Sequence, residues 1–202
     1  MYKLLNYVLD FIFPPNAQEL RIRELPVDWL IKNAPRASQT EFPFIQSLFS
    51  YKDPLIKELI WQIKYKKNKQ AVKCAAYALA NTIDQPALLI PIPISKKRRK
   101  ERGYNQCELL INEMIVQDTA GKFTKNFDLL IRSRHIDKQT FKNRHERLEN
   151  TKNIFEIVGE IGKNQKIVII DDVSTTGSTL KEAREELLKA GYSDVRCLTI
   201  AH

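Results

Sequence analysis

The sequence predicts an α/β protein with a mostly parallel central sheet flanked by helices, on three observations. Ile167-Val168-Ile169-Ile170 is an unbroken, β-branched apolar run, which suits a strand buried on both faces of a parallel sheet. Ala87 to Ile94 is a second such run, leaving the sheet through Pro91-Ile92-Pro93. Around both runs, stretches of helical periodicity alternate with short strand candidates, the rhythm of βαβ units. With 202 residues and 43% hydrophobic content, the chain is long enough for one sizeable core.

From the N-terminus, Leu4, Leu5, Val8, Leu9 and Ile12 mark a first apolar helix that Pro14-Pro15 ends. It is too short to span a bilayer, contains Asp10 and has no small-residue cleavage site, so membrane insertion is not expected and the cytoplasm is. Up to Pro43 no periodicity is sustained, and residues 1–43 are assigned as an N-terminal appendage to a main domain of residues 44–202. Phe44 to Tyr51 is a strand candidate. Asp53-Pro54 then opens a helix carrying Leu55, Ile56, Leu59, Ile60 and Ile63, and a second helix runs from Gln70 to Ile83. After the Ala87 run comes Ser95 and the basic stretch Lys96, Lys97, Arg98, Arg99 and Lys100, read as a loop beyond a strand end. A helix is expected from Gly103 through Ile115, a strand at Phe127 to Ile131, a polar segment from Arg132 to Asn150 and a strand at Ile154 to Val158. The Ile167 strand leads to a helix over Leu180 to Lys189 that stops at Gly191, and Val195 to Ala201 is the last strand.

Charge is unevenly placed. Eleven basic residues against Asp84 and Glu101 fall between Gln62 and Asn105, so this segment holds the whole net charge of +9 and calls for an anionic partner. Cys74, Cys107 and Cys197 are odd in number and far apart, which excludes a disulfide framework and a zinc site of the C-x-x-C type.

The chemistry concentrates after the Ile167 strand. Asp171-Asp172 closes the run, and Ser174, Thr175, Thr176, Gly177, Ser178 and Thr179 form a hydroxyl-rich turn into a helix. Backbone N–H groups at a helix start, helped by short hydroxyls, suit a phosphate. The acids would repel that phosphate and instead accept hydrogen bonds from vicinal sugar hydroxyls, once the turn at the strand end lets both face the ligand. The expected ligand is a ribose 5-phosphate.

This stretch resembles the phosphoribosyl pyrophosphate (PRPP) motif of type I phosphoribosyltransferases. Three further stretches resemble one subgroup, the competence-associated ComF family: Leu59 to Tyr65, Pro91 to Gln106 with its Arg102-Gly103-Tyr104-Asn105-Gln106, and Leu130 to Phe155 with Arg132, Arg134, Gln139, Arg147, Asn150 and Phe155. The resemblance implies a type I phosphoribosyltransferase-like fold and a link to uptake of transforming DNA. It also implies roles: Asp171 and Asp172 at the ribose, Ser174 to Thr179 at the 5-phosphate, Ser95 and Lys96 at the pyrophosphate, and Mg²⁺ accompanying PRPP. Arg134, Lys138, Arg144 and Arg147 would belong to a mobile hood. The cysteine module with which many family members begin is missing here.

Thr175 stands where purine-type relatives of this fold carry an acid, and a threonine is no general base near neutral pH. His135 and His145 lie in the hood segment, where a surface role beside Asp137 or Glu146 competes with a catalytic one. Two functions of different class follow. One is transfer of phosphoribose from PRPP to an acceptor. The other is a PRPP-binding module that contacts single-stranded DNA or a competence helicase or motor, with Lys97, Arg98, Arg99 and Lys100 as the nucleic-acid contact.

Overall fold

The two apolar runs become neighbouring strands at the centre of one sheet. The structure, a computed structural model, describes residues 15–133 and 154–202. The strands are β1 (Ile45–Phe49), β2 (Ala87–Pro91), β3 (Phe123–Lys125), β4 (Leu130–Arg132), β5 (Phe155–Ile157), β6 (Ile167–Val173) and β7 (Val195–Ala201). Five of them form a sheet in the order β1-β7-β6-β2-β3, and every adjacent pair is parallel. The order reverses between β2 and β6, and a ligand crevice in an open α/β sheet lies beyond the strand ends at such a reversal. Pro91 is tolerated in β2 because its nitrogen points away from β6, which receives the N–H groups of Leu88 and Ile92, toward the side where β3 has already ended at Lys125.

The helices are α1 (Ala17–Arg23), α2 (Trp29–Asn33), α3 (Pro54–Trp61), α4 (Lys69–Ala80), α5 (Lys96–Arg102), α6 (Gln106–Gln117) and α7 (Ser178–Lys189); α4, α6 and α7 lie against the sheet, α1 and α2 pack on α3 and α4, and α5 buries none of its residues. Val168 and Ile170 of β6 face a core shared with α3, α4 and α6, while Ile167 and Ile169 face a second core under α7. Ile22, Leu25, Leu30 and Ala34, from the stretch expected to be an appendage, belong to the first core. Gln70 also donates from its side chain to the Leu25 carbonyl.

Several boundaries follow local capping chemistry. Asp53 caps α3 through the N–H groups of Leu55 and Ile56, at 2.9 and 3.0 Å. The chain then continues into a π-helical turn, Gln62–Lys66, that ends at Lys67 with a left-handed φ of 49°. The basic stretch read as a loop is helix α5. Ser95 caps its start, Gly103 ends it at φ 77°, and Lys and Arg are good helix formers. The next helix consequently starts at Gln106, with Asn105 as its cap.

The strand expected at Phe127 to Ile131 is replaced by two elements. The sheet strand is β3, upstream, because the Asn126 side chain accepts from the N–H groups of Asp128 and Leu129 and turns the chain there. Leu130–Arg132 instead pairs antiparallel with β5, outside the main sheet. No helix among the described residues is long and apolar enough to cross a membrane.

Candidate functional site

Strand alternation decides where the two acids point. β6 stays paired with β7 through Asp171 opposite Thr199 and Val173 opposite Ala201, so the turn comes later than the sequence suggests. Asp171 and Asp172 therefore lie on opposite faces of the strand. Asp171 is half-buried; its Oδ1 accepts from the Asp172 N–H at 2.8 Å and from the Cys107 thiol at 3.6 Å. Asp172 is 4% exposed, and its Oδ2 lies 3.1 Å from the Lys64 ammonium. That contact is an ion pair without hydrogen-bond alignment, and Oδ2 has no aligned donor.

Burial, and then the Asp172 charge, push the Asp171 carboxyl up to about 8, against the opposing pull of the Asp172 N–H and Lys64. Burial and the neighbouring carboxylates also raise the Cys107 thiol well above its usual range, so it remains a proton donor to Asp171. Despite their divergence, both acids line one pocket of about 490 Å³, together with Tyr51, Lys64, Ser95, Arg98, Arg102, Arg132, Thr175 and Thr179.

The hydroxyl-rich loop is held by its backbone. The Ser174 N–H donates to the Ala201 carbonyl at 3.0 Å, and a ring nitrogen of His202 lies 3.0 Å from the Ser174 carbonyl oxygen. The Ser174 hydroxyl is buried without a partner. Thr176 and Ser178 share a hydroxyl contact of 2.9 Å. Gly177 is required twice over: its φ is 73°, and an added Cβ would lie 2.7 Å from Phe42 and 2.8 Å from Ile45. Helix α7 starts at Gly177 with no side-chain cap, leaving its first turn open to an anion, and a recess of about 40 Å³ lies within the loop.

The expected pyrophosphate pair is divided between two cavities. Ser95 faces the pocket with the acids, and its hydroxyl caps α5 by accepting the Arg98 N–H at 3.3 Å. Lys96 and Arg99 line an adjoining cavity of about 440 Å³ with Pro93, Glu108 and Arg132, where Arg99 pairs with Glu108 at 2.8 Å. Arg98, expected on a nucleic-acid surface, lines the acid pocket, whereas Lys97 and Lys100 line neither of these two cavities. Arg134, Lys138, Arg144 and Arg147, with His135 and His145, lie outside the described residues.

Lys64, Arg102 and Tyr51 were not anticipated as site residues. Lys64 and Arg102 sit in stretches that carry the family resemblance, but the reach of Lys64 to Asp172 depends on the π-helical turn, which no residue pattern signals.

A family model described as "Phosphoribosyl transferase domain" matches residues 114–202, which include β6, the hydroxyl loop and α7. Competence protein ComFC of Bacillus subtilis is 31% identical over 151 residues, covering 72% of this chain and 58% of that protein. Together these matches support a ComF-family phosphoribosyltransferase-like protein. Competence protein F of Haemophilus influenzae is also 31% identical, covering 57% of the chain and 50% of its own length. DNA utilization protein YhgH of Escherichia coli K12 is 26% identical, covering 71% and 65%. The chain thus spans less than two thirds of the length of these ComF-family relatives.

Its sheet of five parallel strands with helices on both faces is the type I phosphoribosyltransferase-like arrangement. Among solved structures, a hypoxanthine phosphoribosyltransferase from Staphylococcus aureus is 17% identical with a TM-score of 0.37, covering 71% of this chain and 62% of that one, a likeness too loose to place residues. Lys64, Ser95 and Arg102 lie outside the span of the family model, so their place in the candidate site rests on the geometry alone.

Proposed function

We propose that this ComF-family chain binds PRPP with Mg²⁺ beyond the C-terminal ends of β2 and β6 and transfers the phosphoribosyl group to a nitrogenous acceptor, releasing pyrophosphate. The names of its relatives, a competence protein and a DNA utilization protein, support a link of this chain to DNA uptake and use, and we assign it to the cytoplasm as part of the same proposal. One observation carries the reading. The buried Asp172 carboxylate, with an oxygen lacking an aligned donor, and the half-buried Asp171 stand one step before an uncapped helix start that offers N–H groups. Sugar hydroxyls and a phosphate supply what each part lacks.

Two pocket carboxylates fit a magnesium ion that stays mostly on its ligand, since Mg²⁺ is usually held by one or two carboxylates plus substrate phosphates. When bound, it supplies charge neutralisation to the departing pyrophosphate. Asp171 and Asp172 accept from the ribose hydroxyls, the loop from Ser174 to Thr179 holds the 5-phosphate, and Ser95, Arg98 and Arg102 face the leaving group, with Lys96 approaching from the adjoining cavity. The acceptor nitrogen bonds to the anomeric carbon as the carbon–oxygen bond to pyrophosphate breaks, and the acceptor's proton passes to water. Thr175 supports a second reading, in which PRPP is held as a signal and the chain contacts a competence motor.

Equilibrium binding of labelled PRPP with and without Mg²⁺, followed by a screen of nitrogenous acceptors for pyrophosphate release, tests the proposal. The variant Asp171→Asn with Asp172→Asn should lose binding more than 100-fold. A wild-type protein that does not bind PRPP overturns the site assignment, and one that binds without turnover on any acceptor favours the second reading.

A further inference from the structure

We propose that the groove walled by Tyr51, Trp61 and Tyr65 binds a single-stranded polynucleotide by stacking its bases, and that α5 is not the principal nucleic-acid surface. Large aromatic side chains normally bury most of their area, yet Trp61 is 43% exposed and Tyr65 54%. Both line a single groove of about 690 Å³ on α3 and the π-helical turn. Their ring centroids lie 5.7 Å apart at an interplanar angle of 48°, so the two rings are tilted and not stacked face to face on one another.

Cations accompany the rings. The Lys66 ammonium lies 5.6 Å from the Trp61 ring, Arg102 lies 5.1 Å from Tyr65, and Lys57 lies 5.9 Å from Tyr51. Aromatic faces interleaved with cations are the pattern that holds single strands without sequence preference, because every base has a π-face and every nucleotide a phosphate. The two acids of the groove are engaged within the protein: Glu58 accepts from Gln62 and Asn16, and Glu19 pairs with Arg23. Helix α5 offers charge without exposed rings, and two of its cations are paired, Lys97 with Glu101 and Arg99 with Glu108.

Tyr51 and Lys64 line both this groove and the pocket of the acids, so a strand in the groove ends beside the PRPP site. The stacking surface stands without PRPP binding, which is measured separately.

The chain has two tryptophans, so Trp29→Phe leaves Trp61 as the only one and makes its fluorescence a direct report on the groove. In that background, dT15 should quench the emission at 150 mM salt, whereas inorganic polyphosphate, which has charge but no bases, should not. Trp61→Ala with Tyr65→Ala should weaken binding of labelled dT15 about tenfold or more, and Trp61→Ala alone should leave PRPP affinity and the urea midpoint unchanged. Equal quenching by rU15 assigns the groove to single strands of either sugar, and quenching by one of them alone assigns it to that polymer. Unchanged dT15 and rU15 affinity in the double variant, or polyphosphate competing as well as the oligonucleotides, overturns the proposal.

Discussion

The hydroxyl loop after β6 and the cation-rich segment from Gln62 to Arg102 both suit phosphates, but they are held in different ways. The loop is backbone: its direction is set by strand pairing, by Gly177 and by the uncapped start of α7. The cations are side chains on three separate elements, and the structure sends them to three places: Lys64 to the buried Asp172, Arg98 and Arg102 to the pocket wall, Lys97 and Lys100 to neither cavity described there. A backbone site tolerates no change of shape, whereas a side-chain site tolerates losses that depend on where each cation points.

The contrast can be tested from its strongest point downward. Lys64→Met leaves the Asp172 carboxylate buried without its counter-ion and should cost about 3 kcal/mol in urea denaturation, the low end for breaking a buried pair, since the Lys64 side chain keeps 20% exposure. Adding Asp172→Asn should recover most of that loss, and additive losses would show that the two groups do not interact. Gly177→Ala forces a Cβ against Phe42 at a left-handed φ and should cost about 2 kcal/mol while abolishing PRPP binding. Wild-type stability in that variant would mean that the loop is looser than a backbone site must be.

The pH response is smaller and has a definite sign. Asp171 keeps its proton up to about 8 in the folded chain, while an unfolded aspartate loses it near 4. The folded state therefore binds the extra proton between these values, and stability should fall as pH rises from about 4 to 8 and then level off. Asp171→Asn should flatten that slope, and PRPP binding to the wild type below pH 8 should release a proton, detectable by calorimetry in buffers of different ionisation enthalpy. The smallest effect belongs to α5: Lys97→Gln with Lys100→Gln should change PRPP affinity by less than about twofold at 150 mM salt, where exposed charges are screened. A tenfold loss would return α5 to the site.

Much of this was legible because it depends on local pattern. The β-branched run at Ile167, the cap at Asp53 and the acid–hydroxyl sequence each carry their physics in consecutive residues. The miss at Phe127 has a similarly local cause, since the side-chain turn at Asn126 competes with the apolar periodicity that suggests a strand. The helix over the basic stretch is marked in the sequence only by its two capping signals, Ser95 and Gly103, which its run of charge overshadows.

By itself, then, the sequence determined the α/β class, the strand that carries the acids and the loop suited to a phosphate, because strand periodicity and helix-start chemistry are properties of neighbouring residues. Tertiary structure alone decided that the acids diverge to opposite faces of β6, that Lys64 neutralises one of them from a π-helical turn, that residues near Ile22 complete the main core, and that Trp61 and Tyr65 stay exposed beside the site. Those facts join positions far apart in the chain, and which distant side chains meet is set by packing rather than by any local pattern.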